Sequence, residues 1–296
     1  MSSRQTPVAV NASENLVRST RWCAQVMRIH AKSFYFSTRV LPRAKREAVE
    51  ALYGLFRSAD DLADEPGPTL EERRAGFAEI RACLQEIAAG ARSVGVRSAE
   101  APWSAAVARA LERFPIAMED IFALLAGCES DIDPQPISTY PELESYARAV
   151  AGTVGRCSMA ILGASDEDSL ARGERLGIAM QYTNILRDVA EDERNGRCYL
   201  PQRETERIGR REVMRTIAQL ARTDYRQACV LAARVPNDGS RWALLATADI
   251  YGGIVDEVER RDFNPEAGRA VVRTREKIAR AMRCWASAYI GFASMR

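Results

Sequence analysis

A single histidine, His30, occurs among the 296 residues of the chain. Zinc sites and nucleophilic catalysis of the Ser–His or Cys–His kind both draw on histidine, so neither is expected here. The seven cysteines are scattered, and no two of them form a Cys-x-x-Cys pair. An odd and dispersed set of cysteines is typical of free thiols in a reducing compartment, which predicts a cytoplasmic protein without a disulfide framework.

Long apolar runs, an excess of one charge and glycine-rich phosphate loops are also missing. No apolar stretch approaches the ~18 residues that would span a bilayer. The 42 basic and 40 acidic residues give a net charge of +2, which argues against a nucleic-acid partner. Neither GxxxxGK[ST] nor GxGxxG occurs, so a nucleotide held by a glycine loop is not expected. Peripheral contact with a membrane stays open, and the composition does not determine the oligomeric state.

Strand-type alternation is absent, and the hydrophobic periodicity is helical nearly throughout. Proline and glycine separate the helical segments. We predict helices over residues 13–30, 33–40, 43–63, 69–89, 103–114, 116–130, 140–163, 167–193, 211–234, 239–261 and 269–292. Residues 1–14 are predicted to be a disordered tail, and residues 15–296 a single all-α catalytic domain.

Two ladders of polar side chains interrupt this helical background. The first ladder comprises Tyr53, Arg57, Asp60, Asp61 and Asp64. The second ladder comprises Gln181, Asn184, Asp188 and Asp192. Steps of three and four residues place each ladder on one face of a helix.

Both ladders run into sequences that end helices, at residues 65–68 and at Asn195-Gly196. Stacked acids repel one another, and acids near a helix C-terminus oppose the helix dipole, each at a cost of roughly a few tenths of a kcal/mol to 1 kcal/mol. A sequence that accepts this cost twice, with oxygen donors only, predicts a site for Mg²⁺, with Mn²⁺ as an alternative.

A diphosphate would complete such a site, because Mg²⁺ bound by carboxylates keeps positions open for phosphate oxygens. Arg57 and Arg187 are candidates to hold the remaining oxygens. A late basic set is a further candidate, although a solvated basic helix explains it equally well from the sequence; this set comprises Arg269, Arg273 and Lys277.

Glycines also occur inside a predicted helix, in the segment AVAGTVG at residues 149–155. Gly152 and Gly155 each cost a helix interior roughly 1 kcal/mol. Close approach of a neighbouring helix is the favoured explanation, and an adjacent bulky apolar substrate is the alternative.

Four segments, in order along the chain, resemble the signatures of the squalene/phytoene synthase family, whose members join prenyl diphosphates head to head. The segments are HAKSFYFSTRVLP (30–42), LYGLFRSADDLADE (52–65), YARAVAGTVG (146–155) and LGIAMQYTNILRDVAEDERNGRCYLP (176–201). The sequence departs from the family at Ala31, where some relatives carry serine, and at Glu50, where a large aromatic is frequent.

The resemblance implies an all-α isoprenoid-synthase helical bundle around a central apolar cavity. It implies metal ligation by Asp60, Asp61, Asp64, Asn184, Asp188 and Asp192. It implies catalytic roles for Tyr53, Arg57, Asp60, Asp64, Asp188, Asp192 and Tyr199. It implies substrate binding by Lys32, Ser33, Phe34, Tyr146, Gln181, Asn184, Arg187, Tyr251 and Arg269.

The implied reaction is condensation of two geranylgeranyl diphosphates to phytoene through a cyclopropyl diphosphate, without NADPH. Small side chains at Ala31, Ser37 and Thr38 leave room for such long tails. One alternative is an enzyme that uses farnesyl diphosphate, namely a dehydrosqualene, presqualene diphosphate or hydroxysqualene synthase. A terpene cyclase or head-to-tail prenyltransferase is less favoured, because a cyclase usually has a hydroxyl residue where this chain has Asp188. A non-catalytic assembly factor would be expected to have lost ladder acids.

Overall fold

The computed structural model describes residues 12–64, 67–90 and 101–290, and no strand occurs within these ranges. The predicted all-α fold is therefore confirmed. The α-helices are α1 (Ala12–His30), α2 (Lys32–Thr38), α3 (Arg43–Asp64), α4 (Leu70–Ala88), α5 (Ser104–Arg113), α6 (Met118–Ser130), α7 (Tyr140–Ala147), α8 (Thr153–Leu162), α9 (Glu167–Arg194), α10 (Gln202–Ile208), α11 (Arg210–Tyr225), α12 (Gln227–Ala232), α13 (Ser240–Arg260) and α14 (Thr274–Ile290). A π-helix (Arg148–Gly152) joins α7 to α8, and a short 3₁₀-helix (Pro265–Ala267) follows α13.

Several predicted boundaries differ from those of the structure. The segment predicted as one helix over 211–234 is two helices that meet at Arg226. The last helix was predicted from residue 269 but begins at Thr274, after a turn that uses the positive φ of Gly268. Helix α10 was not predicted, because Pro201 and Gly209 confine it to a single short segment.

The predicted disordered tail covers residues 1–14. Residues 12–14 belong to α1, so the tail does not extend to residue 14. Residues 1–11 lie outside the described residues.

The two ladder helices form around buried apolar faces. In α3, Leu52 and Leu55 are buried in one hydrophobic cluster, and in α9, Ile178 and Ile185 are buried in a second. Burial of each such side chain contributes roughly 1.5–3 kcal/mol, which outweighs the cost of the acids on the opposite face. The core therefore decides which way each ladder points.

Helix α9 is the centre of the bundle, packed against α8, α11, α12, α13 and the π-helix. It spans 28 residues, and Asp166 caps its start by accepting a hydrogen bond from the backbone N–H of Ser169 at 3.1 Å. Its end at Arg194 precedes Gly196, which has a φ of 75°. Within the described ranges, no helix is long and apolar enough to cross a membrane.

Candidate active site

An apolar cavity of about 370 Å³ lies at the centre of the bundle, with walls from α2, α3, α8, α9 and α13. Apolar side chains such as Leu52, Met159 and Leu244 form most of its wall. Polar side chains from both ladders line it too, and these are Tyr53, Arg57, Asp60, Gln181 and Asn184. A larger groove of about 720 Å³ lies between α1, α3 and α5 and contains no ladder residue.

The first ladder is held together by Arg57. Its guanidinium donates to Asp60 Oδ2 at 3.3 Å and forms an ion pair with Asp61. Burial raises the pKa of the Asp60 carboxyl to about 6, and repulsion from Asp64 adds to the shift. Burial likewise raises the pKa of Tyr53 to about 12. The fold therefore disfavours the charged form of the Asp60 carboxyl group.

The second ladder has its own arginines. Arg187 Nε donates to Asp188 Oδ1 at 2.8 Å, and Arg269 Nε lies 3.0 Å from the same oxygen. Burial raises the pKa of Asp192 to about 7, and repulsion from Asp188 adds to it. Arg269, drawn from the late basic set, thus reaches the second ladder.

Asn184 supplies an unsatisfied oxygen at this site. Its Nδ2 lies 3.4 Å from Gln181 Oε1, whereas its Oδ1 is buried and has no hydrogen-bond partner. An unpaired buried acceptor costs roughly 1–3 kcal/mol. A hard cation bound to Asn184 Oδ1 would satisfy this acceptor. Asn184 Oδ1 and the ladder carboxylates are all oxygen donors, which is the type of ligand that Mg²⁺ prefers.

Arg197 lies between the two ladders. Its guanidinium is 2.7 Å from Asp64 Oδ1, and its charge acts on Asp60 and Asp192 as well. The loop after α9 carries this arginine back toward α3. The sequence pattern did not identify Arg197, because its partners are far away along the chain.

Across the described ranges, no three side chains of Cys, His, Asp or Glu stand close enough together to hold a metal ion. The ladder acids instead face guanidinium groups. These groups belong to Arg57, Arg187, Arg197 and Arg269. The arginines neutralise the negative charge of the carboxylates. A bound cation would be held by the carboxylates and its diphosphate oxygens by the arginines, so that one ligand would connect both sets of side chains.

Asp131 is a second functional candidate that the sequence pattern missed. Tyr146 donates to its Oδ2 at 3.1 Å, and the Tyr199 hydroxyl lies 3.5 Å from its Oδ1. The two phenol rings stack with centroids 5.0 Å apart. Burial raises the pKa of Asp131 to about 6. A lone acid in the loop after α6 has no periodicity to reveal it, so only the fold brings it to the cavity wall.

The other predicted substrate-binding residues are distributed around the cavity. Phe34 and Tyr251 both line it and make an edge-to-face contact, with ring centroids 5.5 Å apart. Lys32 lies close enough to Lys277 for the two charges to interact. The Ser33 side chain lies outside the described residues. Eight predicted residues are not among those that line the cavity, and these are Lys32, Asp61, Asp64, Arg187, Asp188, Asp192, Tyr199 and Arg269.

The glycines of 149–155 bring α8 and the π-helix against α9. A Cβ added to Gly155 would stand 2.0 Å from the carbonyl oxygen of Gly173. One added to Gly177 would stand 2.1 Å from the carbonyl oxygen of Ala151. The predicted close packing of helices is thus confirmed. The same segment, through Val150 and Val154, lines the cavity.

Comparison with known proteins places this arrangement among prenyl-joining enzymes. A family model for squalene/phytoene synthase matches residues 27–276. The phytoene synthase of Arthrospira platensis is 33% identical over 286 residues, covering 86% of this chain and 89% of that protein. The 15-cis-phytoene synthase of Synechococcus elongatus is 30% identical over 285 residues, covering 86% and 89%. The chain spans 63–65% of the length of three chloroplastic phytoene synthases that it also matches.

A solved structure has the same fold. The crystal structure of a dehydrosqualene synthase in complex with ligand superposes with a TM-score of 0.81 at 24% identity. The match covers 93% of this chain and 98% of that one. At this identity the likeness establishes the shared helical architecture alone.

Proposed function

The chain belongs to the squalene/phytoene synthase family, and we propose that it is the prenyltransferase that condenses two geranylgeranyl diphosphates head to head to phytoene. The reaction passes through cyclopropyl prephytoene diphosphate and releases diphosphate. Relatives that are 30–33% identical over most of the chain are named phytoene synthases, which supports this choice of reaction.

The observation that carries the proposal is the junction of the apolar cavity with the two ladders. Prenyl tails gain roughly 0.8 kcal/mol for each methylene that leaves water, so an apolar cavity binds them. The charged diphosphates need cations, and the ladder end of the cavity holds arginines beside carboxylates. Thr38, a small residue on the cavity wall, leaves room for a long tail.

The carboxylates and one amide oxygen would hold Mg²⁺, with Mn²⁺ as an alternative. These ligands are Asp60, Asp61, Asp64, Asn184, Asp188 and Asp192. When bound, the ion neutralises negative charge on the leaving diphosphate. The diphosphate oxygens are assigned to Lys32, Arg57, Arg187 and Arg269, with arginine able to bind two oxygens at once.

The remaining wall residues act on the carbocation that ionisation leaves. The faces of Tyr53 and Tyr146 offer negative quadrupole charge to a cation, and the Gln181 amide offers a dipole. The apolar wall excludes bulk water, which would otherwise quench the cation. The proton lost in the last step goes to the released diphosphate, so no NADPH is required. The dispersed free thiols support a cytoplasmic location.

The deciding experiment is incubation with geranylgeranyl diphosphate and farnesyl diphosphate separately, with Mg²⁺, with and without NADPH. We expect phytoene from the first substrate, unchanged by NADPH, and slower use of the second. Exclusive use of farnesyl diphosphate, or squalene formed when NADPH is added, would assign the chain to the farnesyl-using branch of the family.

Matched variants separate the ladders from other acids. Asp60→Ala and Asp188→Ala should each lower turnover by about two orders of magnitude or more, because charge on the leaving group is no longer neutralised. Asp133→Ala, at an exposed loop acid, is the control and should retain turnover. A ladder variant that kept more than about a tenth of the wild-type rate would remove that ladder from the reaction.

A further inference from the structure

Two hydroxyl groups join the short helix α2 to α13 at the wall of the cavity. The Thr247 hydroxyl donates to Ser37 Oγ at 2.7 Å, and the Ser37 hydroxyl donates to the Phe34 carbonyl at 3.1 Å. Ser37 is fully buried, whereas Thr247 lines the cavity. A relay of two hydrogen bonds therefore runs from the cavity wall on α13 to the backbone of α2.

Helix α2 depends on contacts of this kind, because little within the helix holds it in place. It has seven residues, and no side-chain hydrogen bond caps its start at Ala31. Isolated helices shorter than about 12–15 residues are marginal in water. The position of α2 is therefore set by its packing against α1 and α13.

A second contact between α2 and α13 lies about one helical turn from the hydroxyl pair. On α2, Phe34 precedes Ser37 by three residues, and on α13, Tyr251 follows Thr247 by four. These spacings place each aromatic ring on the same helix face as one hydroxyl. The Phe34 and Tyr251 rings make the edge-to-face contact described above. Tyr251 also lies close enough to Arg187 for their charges to interact, so the aromatic pair belongs to the ladder end of the cavity.

We propose that Ser37 and Thr247 are positioning residues that keep water away from the carbocation. Their hydrogen bond holds α2 on α13, and it thereby holds the Phe34 ring against Tyr251 at the ladder end of the cavity. Without this bond α2 would separate from α13 more often, and each separation would admit water to the reacting carbons. The inference rests on the proposed function, because it concerns the cation that the proposed reaction forms.

Water that reached the carbocation would change the product. The water oxygen would form a C–O bond to the cationic carbon, and a proton of that water would pass to the diphosphate already released. The product would be an alcohol, whereas the normal reaction ends when the cation loses a proton and leaves a hydrocarbon. The ratio of alcohol to hydrocarbon therefore measures water exclusion, and a smaller amount of folded protein does not change this ratio.

The test is the ratio of alcohol to hydrocarbon formed from geranylgeranyl diphosphate with Mg²⁺, measured by mass spectrometry of the extracted products. Thr247→Val removes the hydroxyl with little change in side-chain shape, and it should raise the ratio by about fivefold, as expected for the loss of one hydrogen bond. Ser37→Ala should raise it similarly. The double variant should resemble either single variant, because all three lack the same bond. Thr247→Ser keeps the hydroxyl and should restore the wild-type ratio.

Tyr225→Phe is the matched control. The Tyr225 and Thr183 hydroxyls are also 2.7 Å apart, but neither residue is among those that line the cavity. This variant loses a comparable hydrogen bond between two hydroxyls and should keep the wild-type ratio.

An unchanged ratio in folded Thr247→Val and Ser37→Ala, or an equal rise in Tyr225→Phe, would overturn the proposal. A Thr247→Ser protein with the ratio of Thr247→Val would overturn it too, as would a folded single variant that forms no product. If Thr247→Val does not fold by circular dichroism, Ser37→Ala decides. Exclusive use of farnesyl diphosphate by the wild type would overturn the proposed function instead, and the same ratio would then be measured with that substrate.

Discussion

The metal-free folded state disfavours ionisation of the Asp192 carboxyl group. Its pKa rises to about 7 because of burial and repulsion from Asp188. In the unfolded chain an aspartate ionises near its usual pKa of about 4. Between these values the folded state binds more protons than the unfolded state, so the free energy of unfolding falls as pH rises from about 4 to about 7.

Asp192→Asn should therefore stabilise the metal-free protein at pH 8, by about 1–2 kcal/mol once solvent screening of this half-exposed site is allowed for. The gain should shrink toward pH 4, where the aspartate is already protonated. Asp64→Asn is the control, because it loses the 2.7 Å ion pair with Arg197 and should gain no stability. Urea unfolding in EDTA across this pH range measures both, and an Asp192→Asn protein less stable than wild type at pH 8 would contradict the expectation.

Asp131 positions two phenols through hydrogen bonds from Tyr146 and Tyr199. Asp131→Asn keeps the size of the side chain but removes the carboxylate, so we expect turnover to fall by about 10- to 100-fold with little change in stability. Asp133→Asn, two residues further on and exposed, should leave turnover unchanged. Steady-state kinetics with a thermal melt of each variant checks this, and equal turnover of the two variants would leave Asp131 without a role in the reaction.

At the scale of elements, the close contact between α8 and α9 is one constraint on the cavity wall. The backbones approach so closely at Gly155 and Gly173 that neither position has room for a methyl group. Another helical glycine, Gly252 in α13, has nothing within 4 Å of an added Cβ. Gly155 is therefore required for helix packing, whereas Gly252 is not.

Gly155→Ala should destabilise the protein by about 1–3 kcal/mol, because the helices must separate to admit the methyl group. Gly252→Ala should stabilise it by up to about 1 kcal/mol through higher helix propensity. Chemical denaturation of both variants measures the difference. Equal effects of the two substitutions on the free energy of unfolding would mean that α8 and α9 can separate to admit the methyl group without loss of stability.

For the whole molecule, the two ladders come from helices far apart in the chain, so a ligand that bridges them ties the bundle together. Mg²⁺ plus diphosphate should raise the melting temperature, and at about 100 times the dissociation constant the stabilisation is about 2.7 kcal/mol. Asp188→Asn should lose most of this increase, whereas Asp133→Asn should keep it. Melting curves in EDTA and in Mg²⁺ with diphosphate test this, and an equal increase in both variants would place the ligand elsewhere.

The sequence alone determined the features that depend on residues close together in the chain. The period of three to four residues predicted α3 and α9, and it placed each ladder on one helical face because helix geometry is local. The glycines of 149–155 indicated close packing for the same reason. Boundaries such as the break at Arg226 and the start of α14 at Thr274 were less accurate, because turns compete with helix over only a few residues.

Tertiary structure alone decided which distant groups meet. Arg197 is 133 residues from Asp64 along the chain yet pairs with it, and Asp131 joins Tyr199 across 68 residues. Neither contact leaves a periodic signal, since each arises from the packing of whole helices rather than from the spacing of neighbours. The same packing sets the raised pKa of Asp60 and Asp192, because burial and facing charges exist only once the helices have come together.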